Sequence, residues 1–107
     1  MSPITTHILD TVSGLPAAHV RVQLYDGNQL LDERHTDDDG RIKNFHLDAI
    51  SAGTYRLVFD VAPYFAKQKQ SAFFPQVCLD FVIEDTSRHY HVPLLLSPFA
   101  YSTYRGS

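Results

Sequence analysis

A chain of 107 residues suits one domain, and its 44% hydrophobic and 20% charged content excludes a disordered chain while allowing a single core. The formal charge of −3, nine Lys and Arg against twelve Asp and Glu, comes with scattered cations. That excludes a non-specific nucleic-acid binder, which needs clustered cations against phosphate.

No apolar run approaches the roughly 20 residues of a membrane span, so no membrane partner is expected. The start, MSPITTHILD, has neither a positive n-region nor a long apolar h-region. A cytoplasmic protein is therefore expected, and a processed periplasmic form would read the same way. Cys78 is the one cysteine, which agrees with a reducing compartment. It is read as a structural thiol, because VCLDFVI puts no histidine or cation beside it to lower its pKa.

The elements follow a period of two. At the start, Ile4, Thr6 and Ile8 share one face of a strand, and Thr5, His7 and Leu9 the other. After the turn signal Ser13-Gly14-Leu15-Pro16, Val20, Val22 and Leu24 alternate with Arg21, Gln23 and Tyr25. Asp26-Gly27-Asn28 marks a turn, and Asp39-Gly40 reads as a hairpin turn from which Arg41 opens the next strand. The run Thr36 to Arg41 looks like the opening of a calcium loop but lacks the later acidic ligand, so that reading is rejected.

Past Ala52-Gly53, Tyr55, Leu57 and Phe59 alternate with Arg56, Val58 and Asp60. APYFAKQK, residues 62–69, loses the alternation and carries Pro63 near its start, which predicts a short surface helix. Val77, Leu79, Phe81 and Ile83 then alternate with Cys78, Asp80, Val82 and Glu84. In the last strand Tyr90, Val92, Leu94 and Leu96 form the core face, and His89, His91, Pro93 and Leu95 point away from it. Short strands between frequent turns predict an antiparallel all-β sandwich filling a single domain over residues 1–107.

The outward face of the last strand is the first candidate for chemistry. Leucine, proline and imidazole together suit a contact surface, and a covering subunit would turn the histidines into cleft walls. Six histidines in the chain is an enrichment. The plain alternative is a set of surface histidines. His89-x-His91 with His7 also has the spacing of a three-histidine zinc site, although any alternating strand gives that spacing. Arg41 beside a tight turn is either a solvated arginine or a fixed guanidinium offering paired donors to a planar ligand.

Together these residues resemble the 5-hydroxyisourate hydrolases, the transthyretin-related proteins of purine catabolism, over essentially the whole chain. THILDTVSGLPA (Thr6 to Ala17), TDDDGR (Thr36 to Arg41) and HYHVPLLLSPFAYSTYRGS (His89 to Ser107) are similar to that family's motifs, and the terminal YRGS is the most specific. Gln76 stands where Glu is expected, and Ala100 where Gly is common.

The resemblance implies a transthyretin-like two-sheet β-sandwich with one short helix near residues 62–69. It implies a homotetramer, a dimer of dimers with its sites at the dimer–dimer interface. It also implies hydrolysis of 5-hydroxyisourate at the N1–C6 bond with no cofactor and no metal. By motif, the catalytic residues fall on His7, Arg41, His91 and Ser107. Substrate binding adds Tyr104, Arg105 and Gly106 to His7 and Arg41. One of His7 and His91 would be the general base for a water, and the end of the chain at Ser107 would lie in the site. The competing readings are a transthyretin-like carrier of a small ligand, a structural sandwich module, and a zinc hydrolase.

Overall fold

The computed structural model describes residues 2–47 and 49–107. Among the described residues, nine strands and one helix follow one another. They are β1 (Ile4–Asp10), β2 (Leu15–Pro16), β3 (Arg21–Asp26), β4 (Gln29–His35), β5 (Arg41–Ile42), β6 (Gly53–Asp60), α1 (Ala62–Lys67), β7 (Gln76–Ile83), β8 (Tyr90–Leu96) and β9 (Tyr101–Thr103). One sheet runs β2-β1-β8-β9, with β5 also on β1; the other runs β4-β3-β6-β7.

The two sheets bury the faces that alternation marked. Ile4 and Ile8 of β1, with Tyr90, Val92, Leu94 and Leu96 of β8, meet Val22, Leu24, Tyr55, Leu57, Phe59, Val77, Leu79 and Ile83 of the other sheet. The two inner faces form one core, as in an aligned sandwich. Helix α1 has a proline in its first turn and no side-chain cap, and it is held by Phe65, which is fully buried. Tyr64 adds a second tie: its hydroxyl donates to Asp10 Oδ2 at 2.7 Å. Asp10 Oδ1 accepts the N–H groups of Val12 and Ser13, so one buried carboxylate fixes both the end of β1 and the helix.

Three expectations need correction. The sandwich is not wholly antiparallel, because β1 and β8 run parallel over seven residue pairs, from Ile4↔Tyr90 to Asp10↔Leu96. Asp39-Gly40 does not close a hairpin: β4 pairs with β3 in one sheet and β5 with β1 in the other, so the turn carries the chain between sheets. Cys78 is exposed, because alternation with core-facing Val77 and Leu79 turns it outward. Strand β4 escaped the sequence reading; its side chains are exposed or half-buried throughout, so it has no alternation to detect.

Candidate active site

The site grows from the parallel pairing of β1 and β8. Thr5 stands across from His91 and His7 across from Pro93, while on the other side of β1 His7 stands across from Arg41. Residues paired across neighbouring strands share a face, so Thr5, His7, Arg41 and His91 project together from the outer side of the sheet.

Arg41 owes its place to the turn before it. Gly40 has φ +71°, and a Cβ there would come within 2.7 Å of the Ile8 carbonyl oxygen, so only glycine lets the turn lie against β1. The Gly40 carbonyl accepts the Ile8 N–H at 2.8 Å. Asp37 completes the turn by accepting the Arg41 N–H on Oδ1 at 3.0 Å, and that bond leads the causes that hold its carboxyl below the usual range. The Arg41 guanidinium has no carboxylate partner among the described residues.

The histidines are held by two neighbours. The Thr5 hydroxyl lies 2.8 Å from His91 Nδ1 and 2.9 Å from His89 Nε2, and the two rings stack with centroids 6.4 Å apart. From the other side the tail returns: the Gly106 N–H donates to the His91 carbonyl at 2.9 Å. A Cβ on Gly106 would stand 2.5 Å from His91 Cδ2, so the bare glycine lets the tail lie flat on the imidazole. These contacts leave His91 Nε2 without a protein partner among the described residues.

Burial, then the Arg41 charge, then His89 and His7, hold the His91 pKa below its ordinary value. Burial and Arg41 also lower that of His7, against opposing effects from Asp37 and Asp39. Both shifts favour the neutral ring, the form that can accept a proton.

Arg41, His89, His91 and Ser107, with Thr5, Thr6, Ile42 and Lys43, line one open depression of about 350 Å³. His7, across from Arg41 on β1, does not line it, and neither do Tyr104 and Arg105. Tyr104 and Arg105 line a separate cavity of about 390 Å³ against β7, where Arg105 lies over the Tyr90 ring at 4.7 Å from its centroid. Gly106 lies on His91 between the two. Thr5, not singled out by sequence reasoning, is the residue that ties the histidines together. The one available signal was its place on the same outer face as His7. Among the described residues, no three His, Cys, Asp or Glu side chains gather as metal ligands.

Residues 4–106 match the HIUase/Transthyretin family. The chain belongs to that family. Among HIUase/Transthyretin relatives, the 5-hydroxyisourate hydrolase of Salmonella dublin is 46% identical over 109 residues, which span 97% of this chain and 80% of that protein. The structure of Klebsiella pneumoniae 5-hydroxyisourate hydrolase has a TM-score of 0.89 and 38% identity, covering 97% of this chain and 98% of that one. Sea bream transthyretin in complex with thyroxine also has a TM-score of 0.89, at 31% identity over 98% of this chain and 95% of that one. Equal TM-scores mean that the backbone alone does not separate hydrolase from transthyretin in this family. The side chains of the depression must do so.

Proposed function

We propose that the chain hydrolyses 5-hydroxyisourate, breaking the N1–C6 amide-like bond to give 2-oxo-4-hydroxy-4-carboxy-5-ureidoimidazoline. The observation that carries this reading is an unpaired guanidinium, Arg41, which lines one depression with His91 and stands across from His7 on β1. An apolar channel for a carried ligand has no use for that set. A water-mediated hydrolysis needs all of it: a base for the water, positive charge for the developing oxyanion, and a proton for the leaving nitrogen.

In this mechanism Arg41 anchors the planar ureide oxygens with paired donors and offsets charge on the C6 oxygen. His91 is the general base. Its Nδ1 is tied to Thr5 and its ring is backed by Gly106, so the neutral ring presents Nε2 to the depression. His7, across from Arg41, holds the substrate beside it, and the Ser107 hydroxyl orients the water. The proton taken from water later serves the leaving nitrogen.

Tyr104 and Arg105 reach substrate in the assembled protein, a homotetramer built as a dimer of dimers with its sites at the dimer–dimer interface. Leu95 on the outer face and the exposed Phe73, Phe99 and Tyr104 support such an assembly. His91→Ala should lower kcat by about 10²–10⁴, the usual weight of a general base, and His7→Ala should lower kcat as well. An unchanged kcat in either variant would remove that residue from the mechanism.

A further inference from the structure

We propose that Thr5 is a positioning residue that acts through His91: its hydroxyl selects the base-competent tautomer and passes the catalytic proton between His91 and His89. The inference rests on the hydrolase reading above. Its starting point is geometric. Thr5 is only 5% exposed although it lies on the outer face, and its oxygen sits within hydrogen-bond distance of two imidazole nitrogens at once, 2.8 Å from His91 Nδ1 and 2.9 Å from His89 Nε2.

A hydroxyl carries one proton. It can therefore donate to only one of two flanking neutral imidazoles, and the other must donate an N–H to it. This leaves two arrangements. In the first, His91 Nδ1–H donates to Thr5, Thr5 donates to His89 Nε2, and His91 Nε2 is bare. In the second, every bond reverses, and His91 carries its proton on Nε2, where it cannot accept one from water. Thr5 thus couples the tautomers of His89 and His91, and the first arrangement is the base.

The same chain explains where the proton waits. When water loses a proton to His91 Nε2, the hydroxide adds to C6 and an imidazolium forms. Arg41 and His7 face that ring, and Lys43 lines the same depression, so a cation there is disfavoured. As the Nδ1 proton passes to Thr5 Oγ1, the Thr5 proton passes to His89 Nε2. His91 returns to neutrality and the charge rests on His89, which is exposed to water. The reverse passage restores the His91 imidazolium, whose Nε2 proton goes to N1 as the C6–N1 bond breaks. Protons balance at each step, and no other reactant is needed.

The test compares Thr5→Val, which keeps the shape and removes the hydroxyl, with Thr5→Ser, which keeps the hydroxyl. Thr5→Val should lower kcat by about 10²-fold with KM unchanged, and Thr5→Ser should restore most of it. Nitrogen-15 spectra of the imidazoles, recorded without substrate, should show the Nδ1–H tautomer of His91 in the parent and in Thr5→Ser. In Thr5→Val they should show a mixture of tautomers. A Thr5→Val variant with parental kcat, equal losses in Val and Ser variants, or unchanged tautomers in Thr5→Val would overturn the proposal. If the parent chain fails to hydrolyse 5-hydroxyisourate, the hydrolase reading falls, and the tautomer spectra still decide whether Thr5 couples the two rings.

Discussion

At the scale of single residues, Gly106 shows how a backbone choice becomes a chemical one. The tail can lie on His91 only because nothing projects from that Cα; a methyl would meet Cδ2 at 2.5 Å. The ring cannot retreat without stretching its 2.8 Å bond to Thr5. Gly106→Ala should therefore cost about 10²-fold in kcat, the usual effect of displacing a reacting group by about 1 Å. Thermal stability should barely move, because the tail lies outside the core. Parental turnover in Gly106→Ala would mean that the His91 position is not held by the tail.

Much of this layer was legible in sequence. Alternation alone put His7 and His91 on outward faces, because period two fixes the side on which each residue of a strand stands; Arg41 came from its turn and the motif around it. The link between Thr5 and the histidines was not legible. It depends on the register of two strands separated by 86 positions, and no local signal encodes that.

At the scale of elements, the sequence reading did best where one face of a strand is buried and failed where none is. Strands β3, β6, β7 and β8 were legible; β4 was not, because both of its faces meet solvent. The parallel pairing of β1 and β8 was missed for a different reason. Antiparallel neighbours joined by a turn announce their direction through turn chemistry, whereas β1 and β8 are joined by most of the molecule.

The tie between α1 and β1 belongs to this scale. Burial, then the bond to Asp10, raises the Tyr64 pKa above its ordinary 10.0. A group with a raised folded pKa contributes stability that is fully present below its unfolded pKa and is lost as pH rises through the folded one. Tyr64→Phe should cost about 1–3 kcal/mol, typical of leaving a buried polar atom, here Asp10 Oδ2, without its partner. By urea unfolding, the gap between parent and variant should stay constant at neutral pH and narrow only above pH 10. Equal stability at pH 7 would show that the Asp10 contacts with Val12 and Ser13 suffice on their own.

At the scale of the whole molecule, a single chain leaves aromatic surface uncovered. Phe73 and Phe99 are each 70% exposed, and Phe74 packs edge-on against Tyr101 beside them. Surface of this kind on a small domain marks an interface. Sedimentation at micromolar concentration should therefore give four times the chain mass of 12.1 kDa. A stable monomer that still turned over substrate would contradict the placing of the sites between dimers. The motifs implied the tetramer; alternation contributed one outward leucine, Leu95. A lone strand pattern carries no more, because which exposed face finds a partner depends on the complementary surface of another copy.

The central claim is that histidine, arginine and water perform the hydrolysis. The most direct measurement generates 5-hydroxyisourate with urate oxidase and follows its ultraviolet decay with and without metal-stripped protein. The account predicts decay faster than the spontaneous blank, undiminished by removal of metal. Decay no faster than the blank, from folded and tetrameric protein, would contradict it and favour a ligand carrier on the same fold.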